Sequence, residues 1–187
     1  IIVSEVVVFR IELLKQLLHY DEAHTHFMHF DQLLPNGKSL FTNILNSSMH
    51  KQATSTIVNV IQLLLEKGVD PNKPDAYSIY PMQYAIEEKL IGLLQAFIQS
   101  GKVDLNVKIN TAEIQNGTYL HLAALCSTNE ILDQLLSTHF FDINGVDDFG
   151  ETPLMKTAVS SNQATGALLA AQKGIDLEHL NNNQESL

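Results

Sequence analysis

The chain has 187 residues, 45% of them hydrophobic, a mean hydropathy of +0.02, and a formal charge of −10 from 11 Lys+Arg against 21 Asp+Glu. That apolar share is enough for an ordinary packed domain and argues against disorder. The acidity, with a pI near 5.1, argues against direct contact with nucleic acid or anionic lipid and for a protein partner with a basic or mixed-charge surface. Cys126 is the only cysteine, so no intrachain disulfide can form and a reducing, cytoplasmic setting is expected.

In chain order, Val7, Ile11, Leu14 and Leu18 recur at helical spacing, and Phe27, Phe30, Leu33 and Leu34 form a second apolar face before Pro35. Residues 1–35 are read as an N-terminal helical cap, or as a link to a domain outside the segment. The opening IIVSEVVVF carries Glu5, lacks a signal peptide's basic flank and lacks an initiator Met, so residue 1 is not expected to be the natural start. No stretch approaches the roughly 18 apolar residues of a membrane helix, and no membrane insertion is expected.

From residue 36 onward one pattern returns four times: NGKSLFTNIL at 36–45, YSIYPMQYAI at 77–86, NGTYLHLAAL at 116–125 and FGETPLMKTA at 149–158. Each is followed by a helix-period apolar run and then by GVDPN at 68–72, KVDLN at 102–106, FDIN at 141–144 or GIDLE at 174–178. The Ser/Thr-like slot falls at Ser39, Tyr80, Thr118 and Thr152, and the Asn-like slot at Asn72, Asn106, Asn144 and Glu178, at intervals of 34 to 41. Thr152 suits a helix N-cap and Pro153 the first helical position. Ala123, Ala124 and Ala158 would let a short inner helix lie close to its neighbours. Gly68, Gly101 and Gly174 suit left-handed caps after the outer helix. Gln184 to Leu187 fall in the next such slot, which reads as a chain that stops at the opening of a fifth repeat. About eight extra residues, MHKQATST, separate the first repeat's helices, and Asn106 to Asn116 is about four longer than its counterparts, taking in Lys108, Thr111 and Glu113.

This pattern resembles the ankyrin repeat family, whose core signature is G-x-T-P-L-H-x-A-A followed by a Leu-rich helix and G-A-D-x-N. Leu120-His121-Leu122-Ala123-Ala124 and Gly150-Glu151-Thr152-Pro153-Leu154 are close matches; Ser39-Leu40-Phe41 and Tyr80-Pro81-Met82 are degenerate. The resemblance implies an all-α solenoid of about four helix–turn–helix repeats with short β-hairpin fingers, near 36–72, 75–106, 114–144 and 147–180, with a fifth beginning at 181–187. It also implies that His121 bridges turn backbones by hydrogen bonds.

His19, Asp21, Glu22, His24, His26, His29 and Asp31 carry metal-ligand chemistry. On a helix, however, His24 and His26 stand about 200° apart, and the His26–His29 pair alone does not make a site, so a solvated face is the better reading. His121 and Cys126 lie about 140° apart on one helix, which excludes proton transfer between them. No Gly-rich stretch runs into Lys-Ser/Thr. No cofactor, metal or catalytic residue is expected in this segment.

By the same resemblance, a partner protein would meet the fingertips and the exposed side of the inner helices. That implies Tyr77, Ile79, Glu87 and Glu88 in the second repeat, Ile114, Gln115, Leu125 and Cys126 in the third, and Asp148, Phe149, Glu151 and Val159 in the fourth. Tyr77 and Phe149 would be aromatic anchors, and the acids would attract Lys or Arg. The competing reading for Phe149 is packing between adjacent fingers. The expected function is a protein-interaction module. The alternative is the ankyrin arm of a larger enzyme, for example a secreted bacterial effector acting in a host cytosol, with its catalytic domain elsewhere.

Overall fold

The computed structural model describes residues 33–46, 54–126, 128–160 and 163–186. Residues 1–32 of the expected N-terminal cap, with the histidine cluster, and most of the MHKQATST insertion lie outside them. Among the described residues eight helices follow one another as short–long pairs: α1 Leu40–Asn46 and α2 Thr54–Glu66, α3 Pro81–Glu87 and α4 Ile91–Ser100, α5 Tyr119–Cys126 and α6 Asn129–Ser137, α7 Pro153–Val159 and α8 Gln163–Ala170. The chain divides into two compact units, residues 1–85 with 92–103, and 86–91 with 104–187.

In the first unit Phe41 and Leu45 of α1 are buried with Val60, Ile61 and Leu64 of α2 and with Leu93 and Phe97 of α4. The Phe41 and Phe97 rings meet edge to face at 5.8 Å. In the second unit α5 packs on α7 and α6 on α8. Leu120, Ala123 and Ala124 are fully enclosed between neighbours, as are Ile131, Leu132 and Leu135. The small side chains at 123 and 124 permit that close approach, whereas Ala158, expected to do the same, is exposed.

Helix starts follow the sequence. Thr152 Oγ1 accepts from Met155 N at 3.3 Å ahead of Pro153, and Ser39 Oγ accepts from Thr42 N at 3.1 Å. After the outer helices Gly68, Gly101 and Gly174 are left-handed, and in the third repeat His139 takes that place at φ 53°. Each Asp of the following motif then closes a small turn: Asp70, Asp104, Asp142 and Asp176 accept, through Oδ1, from the backbone N–H two residues on, at 2.8 to 3.0 Å. Asn72 and Asn144 reach forward one repeat, their Nδ2 donating at 2.8 Å to Lys102 O and Gly174 O.

The fingers are tighter than hairpins. In four of them residue i donates to the carbonyl of i+4 and residue i+3 donates back to i: Leu34–Lys38, Asp75–Ile79, Asp147–Glu151 and Asn181–Glu185. Residue i+3 is left-handed each time, as Gly37, Ser78, Gly150 and Gln184. With so few residues between the closing bonds no ladder forms. Among the described residues the sole β pairing is the Ile109–Gly117 bridge of the longer third finger. Neighbouring fingers are tied by Ala76 N to Gly37 O at 2.7 Å in the first unit, and by Asp148 N to Gln115 O at 2.8 Å and Asn182 N to Phe149 O at 3.1 Å in the second.

Gly150 is the most constrained fingertip. Besides its φ of 73°, a Cβ there would sit 2.9 Å from Asn182 N. Gly150→Ala is therefore expected to lower unfolding free energy by at least about 1–2 kcal/mol in urea titrations. His139→Gly should raise it by about 0.5–1 kcal/mol, the left-handed penalty less glycine's extra unfolded-state entropy. Equal midpoints for the wild type and both variants would contradict the assignment of strain to these two positions.

Candidate binding groove

The second unit is where the acidity lies. It holds 13 carboxylates against four lysines, a formal charge of −9 out of the chain's −10. Within it an open groove of about 310 Å³ is lined by Asp148, Phe149 and Glu151 of the fourth finger, Val159 at the end of α7, Asn181, Asn182 and Asn183 of the next finger, and Glu113. Phe149 and Val159 are 43% and 56% exposed and share this groove, so it presents apolar surface to solvent.

The fourth finger stands in this place because Asp147 Oδ1 accepts from both Phe149 N and Glu151 N at 3.0 Å, bending the chain around one carboxylate oxygen. The other oxygen, Oδ2, lies 2.7 Å from Nζ of Lys156, which is wholly buried on α7. Lys156 Nζ also donates to Glu151 Oε2 and, at 2.5 Å, to the carbonyl oxygen of Glu113. It lies 5.2 Å from the centroid of the Phe149 ring, within cation–π range. One ammonium thus touches two carboxylates, one carbonyl and one aromatic face.

Beside it, His121 is 1% exposed. Its Nδ1 lies 3.1 Å from Thr118 N, which can only donate, so Nδ1 is the acceptor. Nε2 then carries the proton and donates to Glu151 O at 3.1 Å. The ring therefore joins the start of α5 to the fourth finger, the bridging role implied by the resemblance. Burial pushes its pKa below the ordinary 6.5, with partial opposition from Asp147. Both ring nitrogens are occupied, and Cys126 Sγ donates to Leu122 O at 3.0 Å.

The anticipated contact residues are distributed unevenly. Asp148, Phe149, Glu151 and Val159 share the groove. Glu151, expected as a free acid, is instead held by Lys156. Phe149 packs on Lys156 with one part of its ring and stays open on another. Gln115 is half-buried, its Nε2 donating to Thr111 O at 2.7 Å, and Leu125 and Cys126 are half-buried. In the same unit Glu88 is exposed and Glu87 half-buried; in the first unit Tyr77 is 70% exposed and Ile79 half-buried.

Ile114 is a correction. It is 0% exposed and cannot meet a partner. Thr111 Oγ1 accepts from Glu113 N and Ile114 N and folds the inserted loop back, which seats Ile114 over Gly117, where a Cβ would lie 2.4 Å from its Cγ2. The sequence reading missed Glu113, Asn181, Asn182 and Asn183 in the groove, although Asn182 stands 34 residues after Asp148. It also missed Lys156, 34 residues after the buried Leu122.

Among the described residues no group of three His, Cys, Asp or Glu could hold a metal ion, and no helix is long and apolar enough to cross a membrane.

Two outcomes follow from the buried charges. Lys156→Met leaves Asp147 enclosed without its cation and should cost about 3–5 kcal/mol in urea melts; a cost under about 1 would show the pair to be solvated. His121 binds a proton more readily unfolded than folded, so its contribution to stability is complete above about 6.5 and lost as pH falls below that value. Urea melts between pH 7.5 and 5.5 should show wild-type stability dropping. His121→Gln, which copies the Gln83 of the second repeat, should show a shallower drop, and parallel slopes would oppose the assignment.

A family profile described as ankyrin repeats (three copies) matches residues 82–183. Among curated proteins, neurogenic locus notch homolog protein 1 of Xenopus tropicalis is 28% identical over 141 residues, 75% of this chain and 5% of that protein. Its Homo sapiens counterpart is 26% identical over 140 residues, with the same shares. The chain thus spans about 5% of the length of these relatives. Among solved structures, the ankyrin repeat protein EF0377 aligns with a TM-score of 0.75 at 20% identity, covering 98% of this chain and 86% of that one. The ankyrin repeat domain of Bcl-3, described as a member of the IkappaB protein family, aligns at 0.70 and 22%, covering 97% and 74%. At such identities the structures speak for the fold alone. With the family's repeat matched over more than half of its length, the chain belongs to the ankyrin repeat family, whose repeats are protein–protein interaction modules.

Proposed function

We propose that this segment binds a partner protein through the groove of its second unit, with Phe149 and Val159 as apolar contacts and Asp148 and Glu113 as the acidic rim. The observation that carries the reading is the pairing of exposed apolar ends with carboxylates in one groove. Asp148 and Glu113 face no cation among the described residues. A basic or mixed-charge partner surface suits them and the unit's net charge of −9. Tyr77, Ile79, Glu87, Glu88, Gln115 and Leu125 remain proposed contacts on the strength of their repeat positions. The reading sets the module in a reducing compartment, where Cys126 stays a thiol. The matched relatives bring no support for an enzyme arm or a secreted effector.

The test is site-specific photocrosslinking. A benzophenone side chain at Val159 should attach a defined protein from cell lysate, and one at Asp133, exposed on α6, should not. Asp148→Lys should reduce the Val159 product about tenfold or more, the range of a lost interfacial charge contact. The same product from both positions, insensitive to Asp148→Lys, would sink the proposal.

A further inference from the structure

Lys156 occupies a place where burial should exclude it. It lies in the apolar run PLMKTAV of α7, 34 residues after Leu122, which fills the matching place in α5 at 2% exposure. A leucine there is compatible with the repeat, and a well-packed apolar side chain is commonly no less stable than a buried ion pair. What leucine cannot do is bind several groups at once. Lys156 Nζ ties Glu113 O of one finger to Asp147 and Glu151 of the next and presents its charge to the Phe149 ring. Glu113, Glu151 and Phe149 are all groove-lining residues.

We infer that Lys156 is a positioning residue for the groove: it fixes the orientation of the Phe149 ring and neutralises the carboxylates beneath it, so that the partner meets a preformed aromatic platform with its acidity confined to the rim. The inference rests on the groove being the binding surface, as proposed above. Its physical advantage is that an anchoring side chain held before contact loses less conformational freedom on binding.

The fold supplies its own control. In the next finger Asn181 Oδ1 accepts from Asn183 N and Glu185 N at 2.9 and 3.0 Å, so an amide performs the turn-closing task of Asp147. The double variant Lys156→Leu with Asp147→Asn therefore removes both buried charges, keeps the turn and copies the repeat's own alternatives. It should fold with a urea midpoint well above that of Lys156→Met, in which Asp147 is left enclosed and charged. Meanwhile, in ligand-free NMR spectra, the Phe149 ring signals should collapse toward averaged values. Lys156→Arg should keep them resolved. The Val159 crosslink should weaken by about three- to tenfold in the double variant, the cost of ordering one side chain on contact.

Unchanged Phe149 signals in the folded double variant would overturn the inference. Should that variant fail to fold, the wild type suffices: a Phe149 ring as averaged as that of Tyr77, a fingertip aromatic ring with no cation above it among the described residues, overturns it equally. The ring signals need no partner. A missing crosslink with an ordered, Lys156-dependent ring therefore refutes the groove reading and leaves the positioning role standing.

Discussion

A seven-residue helix such as α7 makes about two turns, short of the roughly 12–15 residues at which an isolated helix becomes marginal in water, so its persistence depends on the surfaces against it. That dependence organises the whole fold. Small residues at 123 and 124 let α5 and α7 approach, the Leu-rich outer helices close the other side, and no pair completes a core unaided. The same dependence explains why polar atoms are so heavily used between repeats. Packing alone leaves sliding inexpensive, whereas Asn72, Asn144 and the finger-to-finger amide bonds each fit a single register.

The fingers convert that register into a surface. A single side-chain oxygen at Asp75, Asp147 or Asn181 takes two backbone N–H groups and forces the left-handed residue three positions on. The direction in which Tyr77 or Phe149 leaves the chain is thus set by its neighbour two positions back. In the fourth finger the same carboxylate has a second task, pairing with Lys156. The turn and the floor of the groove are therefore one electrostatic unit, joined by a lysine that stands where the third repeat has Leu122.

Much of this was legible in the residues. Thr152-Pro153, the glycines after the outer helices and the Asp-x-Asn turns act through local backbone geometry, which sequence encodes directly. The fingertip positions Asp148 and Phe149 and the inner-helix position Val159 follow from repeat register and fall together in the groove. Three features needed coordinates. Ile114 sits in an inserted loop whose fold depends on Thr111 and on space above Gly117, neither of which is periodic. Lys156 stands in register with Leu122, but which groups its buried charge meets follows from the three-dimensional contacts alone. Glu151 reads as a free acid until Lys156 is known to lie beneath it. Periodicity locates slots; it does not say which charges find each other inside them.

The uneven distribution of charge between the two units bears on how a complex would begin. With −9 on one unit and −1 on the other, an approaching cationic surface would be attracted more strongly by the second unit than by the first before any contact is made. At physiological ionic strength that attraction reaches roughly 8 Å from the surface, enough to turn an encounter toward the second unit during the last steps of diffusion. On the proposed reading, association rate and affinity would be separable properties of this chain: distributed carboxylates outside the groove would set how often a partner arrives correctly oriented, while Phe149 and its surroundings would set how long it stays.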